Sequence, residues 1–335
     1  MSLKILSPRS IYDAYNRIKN YVNYTPVVRS QELDLLTGHR IHFKLENQQK
    51  MGAFKTRGVM NVLLKLKEQA NPPKEIVAFS TGNHGKAISH LCAEFGFKAT
   101  IVMPENVPLS KQRAAENENT KIIITKTRQE TEDLVAEIAA GGAYLIPPSD
   151  HDMVISGNGT ACYEALKEVY NPDAVFVPCG GGGLAAGSYL ATKLFSDNIK
   201  LFAAEPAVAN DAHISFDRGE IFRFKDAPNT IADGARTLGV SPRTFHYLKQ
   251  IDGFYDVTEK EIVKCMIDIN KMLGIICEPT SALALGACYK WLEGQKSRKE
   301  VVVIITGGNI DPQDYDQITC PDQGIDDLNM KKVLY

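Results

Sequence analysis

AVFVPCGGGGLAAG, residues 174–187, decides the fold of this chain. The first six residues form an apolar run of strand length, and four glycines and a stretch of small residues follow it. Strand, glycine loop and helix in this order are typical of a parallel sheet, where backbone N–H groups at the helix N-terminus can hold an anion. Four consecutive glycines exceed what a tight turn requires. We therefore interpret residues 180–183 as an anion site, and a plain turn stays the alternative.

The same alternation recurs along the chain. Helix-length amphipathic stretches, such as residues 127–140 and 258–273, lie between short apolar runs. Continuous apolar strands that alternate with helices predict an α/β fold, with mostly parallel sheets and helices on both faces. The other predicted strands are residues 75–80, 99–104, 121–126, 143–148, 200–206, 253–258 and 301–308.

The composition excludes several classes of protein. With 335 residues, 44% of them hydrophobic and 23% charged, the chain has the make-up of a soluble globular protein. Its net charge of −2 predicts no nucleic-acid partner, and no apolar run approaches the roughly 20 residues that span a membrane. Seven scattered cysteines without a C-x-x-C pair, and an N-terminus without the apolar core of a signal peptide, predict a cytoplasmic protein with reduced thiols.

Two more predicted strands end in glycine-containing loops. TGNHG (81–85) follows the strand at 75–80, and GGN (307–309) follows Thr306 at the end of the last strand. In an open α/β sheet such loops share the edge at which ligands bind. Taken alone, each loop is explained at least equally well by ordinary turn chemistry.

Two carboxylates follow another predicted strand. Glu205 lies near the end of the run KLFAAEP (200–206), and Asp211 comes six residues after it. Two carboxylates and the loop carbonyls between them have the oxygen chemistry that Mg²⁺ or Ca²⁺ prefers. A solvated acidic loop is the alternative, and the spacing alone favours that alternative.

The mid-chain glycine loop also matches a dinucleotide-binding unit. Gly180, Gly182 and Ala185 have the G-x-G-x-x-A spacing, and Glu205 ends the next strand, where an acid would bind a ribose hydroxyl. An NAD-dependent dehydrogenase is therefore a competing hypothesis. It leaves the other glycine loops and Lys55 without a function.

Lys55 lies in an unusual sequence. The stretch GAFKTRGVMN (52–61) places this lysine among Gly52, Ala53 and Phe54, without charged residues directly before it. Two interpretations are open: a surface lysine on an amphipathic helix, or a lysine held in a pocket to perform chemistry.

Taken together, these motifs resemble one family. They are similar to fold-type II pyridoxal-phosphate enzymes with the tryptophan synthase β-like fold, in the branch of serine racemase, serine/threonine dehydratase and threo-3-hydroxyaspartate dehydratase. The resemblance extends from about Ser10 to Asp311. The motifs, in the family's order, are KLENQQKMGAFKTRGVMN (44–61), STGNHGKA (80–87), PCGGGGLAAG (178–187), AAEPAVAND (203–211), TIADGA (230–235), CEPTSALAL (277–285) and ITGGN (305–309).

The resemblance implies a role for each residue around the cofactor ring. Lys55 matches the lysine that carries pyridoxal phosphate covalently, and desolvation among its apolar neighbours would lower its pKa. Phe54 would contact one face of the ring, and Gly234 would leave room on the other. Asn83 would hydrogen-bond the 3′-oxygen, and Thr306 would meet the pyridine nitrogen.

The resemblance also implies two sets of backbone donors. One would hold the cofactor phosphate, and the other would hold the substrate carboxylate. The phosphate set is Gly180, Gly181, Gly182, Gly183 and Leu184. The carboxylate set is Ser80, Thr81, Gly82, Asn83 and His84.

A divalent cation, Mg²⁺, Ca²⁺ or Mn²⁺, is implied at Glu205, Asp211 and the carbonyl of Ala209. This implication reverses the preference for a solvated acidic loop, and it gives Glu205 a role other than binding a ribose hydroxyl.

Two residues depart from the family pattern. Thr81 stands where racemases of this branch carry a serine as the second acid/base, and Lys86 stands where glutamine is usual. Lys86 would either attract a second substrate carboxylate or be a solvated helix residue, and we favour the latter.

The implied activity is β-elimination, in which Lys55 removes the α-proton of a β-hydroxy amino acid and a 2-oxo acid and ammonia are released. Serine, threonine and 3-hydroxyaspartate are candidate substrates. A serine racemase with side elimination is the alternative within the same chemistry, and a relative without turnover is a third. We expect a homodimer whose large domain comprises residues 1–72 and 151–312, with a small domain at 73–150 and a C-terminal tail at 313–335.

Overall fold

Ten strands form two sheets in the computed structural model, which describes residues 5–80, 82–105, 107 and 113–320. The larger sheet has the order β1-β2-β10-β7-β8-β9 and the smaller has the order β5-β4-β3-β6. The strands are β1 (Val27–Val28), β2 (Arg40–Leu45), β3 (Glu75–Phe79), β4 (Lys98–Pro104), β5 (Thr120–Thr125), β6 (Tyr144–Leu145), β7 (Ala174–Pro178), β8 (Lys200–Pro206), β9 (Gly253–Val257) and β10 (Glu300–Ile305).

Twelve α-helices connect the strands in the described part of the chain, and local signals fix their ends. Thr258 and Glu261 form a capping box at the start of α10, and Gly274 ends that helix with a φ of 66°. The helices are α1 (Arg9–Ile18), α2 (Gln31–Thr37), α3 (Lys55–Lys67), α4 (Asn83–Phe95), α5 (Arg128–Ala140), α6 (Asp152–Glu168), α7 (Gly183–Phe195), α8 (Asp211–Arg218), α9 (Pro242–Leu248), α10 (Glu259–Leu273), α11 (Pro279–Glu293) and α12 (Pro312–Thr319).

The larger sheet is covered by helices on both faces. All its strand pairs are parallel except the pair of β1 with β2. Side chains alternate between faces along a strand. Val301 and Val303 of β10 accordingly join a core with α10 and α11, whereas Val302 and Ile304 join a second core with α6 and α7. This is the predicted architecture of a parallel sheet buried on both sides.

The smaller sheet is parallel throughout and is also covered on both faces. Ile76 and Ala78 of β3 pack with α3 and α4, and Val77 packs with Val135 of α5. The predicted α/β fold with mostly parallel sheets is therefore confirmed. The strands of the smaller sheet fall within the predicted small domain, but the domain boundaries themselves stay a prediction.

The predicted tail begins with a helix. In α12, Tyr315 and Ile318 are buried in the core beside α10 and α11. The first part of the tail is thus a packing arm, and residues 321–335 lie outside the described residues. Among the described helices, none has the length and apolar character needed to cross a membrane.

Glycines bring three helices into backbone contact. A Cβ atom on Gly157 of α6 would lie 2.6 Å from the carbonyl oxygen of Arg57 and 2.8 Å from Cα of Gly58, both in α3. A Cβ atom on Gly187 of α7 would lie 2.7 Å from the backbone nitrogen of Gly159 in α6. Because α3 begins at Lys55 and α7 follows the glycine loop, these contacts fix the lysine relative to the loop.

Candidate active site

The segment before Lys55 is hydrogen-bonded to the loop that follows β10. The backbone N–H of Phe54 donates to the carbonyl of Thr306 at 3.0 Å, and the N–H of Gly308 donates to the carbonyl of Gly52 at 3.0 Å. Lys55 is the first residue of α3. The lysine therefore lies at the carboxyl edge of the larger sheet, where α/β folds bind their ligands.

The amine of Lys55 is held by a carbonyl and desolvated by the protein. Its Nζ donates to the carbonyl of Pro148 at 2.9 Å and lies 5.0 Å from the centroid of the Phe54 ring. Burial lowers the pKa of Lys55 to about 8, and the carboxylate of Glu278 only partly opposes this shift. A much larger fraction of this lysine is neutral near pH 8 than of a solvated lysine, so the amine can act as a nucleophile or base.

The glycine loop is enclosed on two sides. A Cβ atom on Gly180 would lie 2.6 Å from the carbonyl oxygen of Gly234, which brings these two predicted cofactor residues together. Cβ atoms on Gly181 and Gly183 would each lie within about 3.0 Å of Ser149. Side chains at these positions would collide with the protein, and the close approach accounts for the run of glycines.

The loop leads directly into a helix N-terminus. Gly182 is the N-cap residue of α7 and has a φ of 81°, a conformation that favours glycine. Gly183 and Leu184 are the first two residues of the helix, so their N–H groups have no partner within it. Backbone donors and the positive end of the helix dipole together make an anion-binding site.

Thr306 is buried beside a serine that the sequence analysis did not assign. The hydroxyl oxygens of Thr306 and Ser281 lie 2.9 Å apart, and the N–H of Gly307 donates to Ser281 at 2.8 Å. Ser281 lies in the first turn of α11, which Pro279 starts. The motif CEPTSALAL contains this serine, but its partner lies 25 residues away and no local pattern indicates it.

Asn83 belongs to a chain of hydrogen bonds that links three of the motifs. Its Nδ2 lies 2.9 Å from both carboxylate oxygens of Glu278, and its Oδ1 accepts from Nδ2 of Asn309 at 2.7 Å. Lys86 in turn donates to Oδ1 of Asn309 at 2.8 Å. The favoured interpretation of Lys86 as a solvated helix residue is therefore wrong, since the lysine is partly buried and bonded. Glu278 and Asn309 belong to this network, and the sequence analysis gave neither of them a role.

The loop after β3 is folded by the side chain of Ser80. Ser80 is buried, and its Oγ accepts the N–H groups of Gly85 at 2.7 Å and Gly82 at 3.4 Å. This bond folds the loop into the start of α4. Thr81 lies outside the described residues, so its predicted role as a second acid/base stays a prediction.

His84 is buried and neutral. Its Nε2 lies 2.8 Å from the carbonyl of Ile146, which can only accept, so Nε2 carries the hydrogen. Burial and the nearby Lys55 lower the pKa of His84 to about 3. Nδ1 is buried without a partner in the described part of the chain. The side chain of His84 thus offers an acceptor, and this residue can donate to a carboxylate only through its backbone N–H.

Glu205 and Asp211 form a second buried cluster. Glu205 accepts the N–H groups of Ala212 at 3.3 Å and His213 at 2.8 Å, and Asp211 accepts from Thr237 at 2.9 Å. Oδ2 of Asp211 is buried without a partner among the described residues. Burial and mutual repulsion raise the pKa of Glu205 well above its usual range, and burial raises that of Asp211 to about 6.

This burial decides between two earlier hypotheses for Glu205. A fully buried carboxylate that faces backbone N–H groups cannot reach a ribose hydroxyl, so the dinucleotide interpretation is set aside. Ala209, whose backbone carbonyl is the third implied cation ligand, is buried in the loop between the two acids. Within the described ranges, no group of three or more His, Cys, Asp or Glu side chains could hold a metal ion, so a cation here would also need carbonyl or water oxygens.

Arg57, two residues after Lys55, is the centre of a buried ionic network. Its guanidinium bonds to Glu46 at 2.7 Å and to Glu164 at 2.7 Å, and Lys44 donates to Glu164 at 2.7 Å. All four side chains are at most 1% exposed. This network explains the Arg-Gly pair after Lys55: the arginine anchors α3 from inside the protein.

Residues 18–307 match the model of the family described as pyridoxal-phosphate dependent enzyme. The chain belongs to this family. An L-threo-3-hydroxyaspartate ammonia-lyase of Saccharomyces cerevisiae is 41% identical over 91% of this chain and 94% of its own length. A serine racemase of Schizosaccharomyces pombe is 37% identical over 91% of this chain and 94% of its own.

A solved structure agrees with this placement. The serine racemase of Dictyostelium discoideum has a TM-score of 0.85 and 37% identity, and the alignment covers 91% of this chain and 99% of that one. The resemblance derived from the motifs is thereby confirmed, as is pyridoxal phosphate as the cofactor of the family.

Proposed function

We propose that this enzyme eliminates water from a β-hydroxy amino acid and releases a 2-oxo acid and ammonia. Serine, threonine and 3-hydroxyaspartate are the candidate substrates. The observation that most supports this proposal is the desolvated amine of Lys55. It lies at the edge of the larger sheet, beside the glycine loop and the hydrogen-bond network of Asn83. The similarity to ammonia-lyases and serine racemases supports a small amino acid as the substrate.

The residues present fit pyridoxal phosphate. The N–H groups of Gly180 to Leu184 would hold its phosphate, and the N–H groups of Gly183 and Leu184, which have no partner within α7, support this. Phe54 and Gly234 would flank the ring, and Asn83 and Thr306 would meet its 3′-oxygen and its nitrogen. When bound, the cofactor supplies an electron sink for the bond broken at the α-carbon.

The protein's own part is to move one proton and hold the substrate still. The Lys55 amine would take the α-proton, and its lowered pKa keeps a usable fraction neutral. The carbonyl of Pro148 fixes the position of that amine. The loop from Ser80 to His84 would hold the substrate carboxylate through backbone N–H groups. Fixed positions of this kind account for a large share of rate enhancement.

A divalent cation at Glu205, Asp211 and the Ala209 carbonyl is part of the proposal. The buried, unpartnered Oδ2 of Asp211 and the raised pKa values of both acids support it, because a cation would offset two desolvated negative charges. Its role would be structural, since Glu205 is the next-to-last residue of β8 and Asp211 starts α8.

Racemisation of serine is a second candidate. The similarity to two serine racemases favours it. It requires an acid/base group on the face opposite Lys55, and Thr81 is the proposed group. Its β-methyl restricts the hydroxyl to fewer rotamers than a serine would have, so we rank elimination first.

The test is the visible absorption spectrum of the purified enzyme, together with assays of 2-oxo acid and D-serine formation. L-Serine, L-threonine and L-threo-3-hydroxyaspartate are supplied separately. Lys55→Ala is compared with Lys65→Ala, a change of an exposed lysine on the same helix. We expect a yellow enzyme that releases 2-oxo acid from one substrate, and loss of both properties in Lys55→Ala alone.

A colourless protein that does not bind pyridoxal phosphate would overturn the proposal. D-Serine formation without 2-oxo acid would replace elimination with racemisation. Homodimer assembly also stays a proposal, and light scattering of the eluting enzyme tests it.

A further inference from the structure

Four polar side chains form a chain whose direction is fixed at both ends. Lys86 at one end can only donate hydrogen bonds, and the carboxylate of Glu278 at the other end accepts them. Asn309 and Asn83 lie between them, joined at 2.7 Å. The four residues come from α4, the N-cap of α11 and the loop after β10. They are far apart in sequence and meet only in the folded protein.

The ends decide how each amide is oriented. Because Glu278 accepts, Asn83 must turn its NH₂ group toward it and its carbonyl toward Asn309. The backbone carbonyl of Met51 accepts from Nδ2 of Asn309 at 2.8 Å, which requires the same orientation of that amide. Oδ1 of Asn309 is left facing Lys86, which donates to it at 2.8 Å. Every donor thus meets an acceptor in one arrangement only.

The space around the side chain of Asn309 is tight. A Cβ atom on Gly52 would lie 2.5 Å from Oδ1 of Asn309, and Gly52 has a φ of 74°. The glycine that precedes Ala53, Phe54 and Lys55 therefore leaves room for this amide. A larger residue at position 52 would displace the amide of Asn309 from its bond to Asn83.

We infer that Lys86 is a positioning residue of the active site: through Asn309, its ammonium reinforces the orientation of the Asn83 amide in which one N–H bonds to Glu278 and the other N–H, and not the carbonyl, faces the cofactor's 3′-oxygen. This inference rests on the proposed role of Asn83 at that oxygen. An amide with the opposite orientation would place its carbonyl against an oxygen anion and repel it. Partial burial of Lys86, and the pKa of its ammonium, which burial lowers while Glu278 opposes the shift, agree with a site inside the protein.

The test is the dissociation constant of pyridoxal phosphate, measured by titrating cofactor-free enzyme, together with the visible spectrum of the loaded enzyme. Lys86→Met removes the donor and keeps the chain length. Lys86→Gln keeps an N–H donor without the charge. Lys264→Met is the matched control, since Lys264 is an exposed lysine bonded to a single carboxylate.

We expect Lys86→Met to weaken cofactor binding about tenfold, the scale of one lost charge-assisted hydrogen bond, and to shift the visible band. Lys86→Gln should stay within about threefold of the parent enzyme, and Lys264→Met should be unchanged. The KM values for serine and 3-hydroxyaspartate should change by the same factor, because the inference has Lys86 act through Asn309 and not on the substrate.

Two results would overturn the inference. One is unchanged cofactor affinity in Lys86→Met with a raised KM for 3-hydroxyaspartate alone, which would make Lys86 a receptor for the second carboxylate. The other is an equal loss in Lys86→Met and Lys86→Gln. Failure of the proposed function looks different, because the parent enzyme itself would then either not bind pyridoxal phosphate or bind it without releasing 2-oxo acid.

A second variant covers the case in which Lys86→Met does not fold. Asn309→Asp keeps Lys86 paired with an oxygen but cannot donate to Asn83 or to the carbonyl of Met51. We expect its cofactor affinity to fall by at least as much as in Lys86→Met, although Lys86 is intact. Unchanged affinity and an unchanged spectrum in Asn309→Asp would also overturn the inference.

Discussion

The negative charges of two pairs of buried carboxylates in this enzyme are compensated in different ways. Glu46 and Glu164 are joined to the cations of Arg57 and Lys44. Burial alone would raise the pKa of Glu46, but the guanidinium of Arg57 outweighs it and the pKa lies below its usual range. Glu205 and Asp211 show the reverse. Neither forms an ion pair with a basic side chain in the described part of the chain, and their pKa values are raised.

The difference separates a permanent anchor from a site that depends on the solution. A carboxylate pair with its own cations keeps its charge whatever ions are present. A carboxylate pair without basic partners must take up protons, bind a cation or destabilise the folded protein through its buried charge. The first pair supports the helix that begins with Lys55, and the second lies between β8 and α8. The three experiments below test this distinction.

Arg57→Met should have the largest effect. It leaves two buried carboxylates with only Lys44 between them, and we expect the free energy of unfolding to fall by about 3–5 kcal/mol. Urea denaturation measures it. Lys65→Ala, which breaks the exposed pair with Glu68, is the control and should cost at most about 0.5 kcal/mol. Similar losses in the two variants would mean that the buried network is not an anchor.

Adding a divalent cation should have the next largest effect. A ligand at 100 times its Kd stabilises the folded state by about 2.7 kcal/mol, so Mg²⁺, Ca²⁺ or Mn²⁺ should raise the melting temperature of chelator-treated enzyme. Differential scanning fluorimetry measures the shift. Asp211→Asn should abolish it, whereas Lys65→Ala should retain it. An equal shift in Asp211→Asn would place the cation elsewhere.

The pH dependence of the chelator-treated enzyme should show the smallest effect. The folded-state pKa of Asp211, about 6, lies above that of an unfolded carboxyl near 4, so between these values the folded state binds more protons. Asp211 then destabilises the fold at pH 7, and lowering the pH to 5 should restore about 1 kcal/mol relative to Asp211→Asn. Urea midpoints at the two pH values measure the difference, and saturating cation should remove it. No difference would mean that Asp211 is already compensated.

Much of the fold could be predicted because its strands are continuous apolar runs. Strand β2, RIHFKL, was missed because His42 and Lys44 interrupt the apolar pattern. Lys44 is nevertheless fully buried, since Glu164 neutralises it from 120 residues away. The run at 143–148 yields only the two-residue strand β6. Local pattern cannot indicate burial that a distant partner makes possible.

In the candidate site, too, local sequence patterns could be read and long-range contacts could not. Lys55 and the glycine loop were identifiable because the residues that indicate their chemistry are consecutive in the sequence. Glu278, Ser281 and Asn309 lie within motifs that the sequence shows, but nothing in those motifs gives these residues a role. Asn309 touches Asn83 across 226 positions, and Ser281 reaches Thr306 only because α11 and β10 lie side by side. These contacts come from the topology of the sheet, which brings several strand ends to one edge.

The glycine contacts among α3, α6 and α7 also limit how the sequence can vary. In a library of random variants screened only for yellow colonies, substitutions should be tolerated widely on the exposed helix surfaces. At positions 58, 157, 159 and 187 the yellow variants should all retain glycine. One added methyl group there would push the helices apart and move Lys55 away from the glycine loop. These four residues touch neither the proposed cofactor nor the proposed substrate, yet they should be as intolerant of change as the lysine itself.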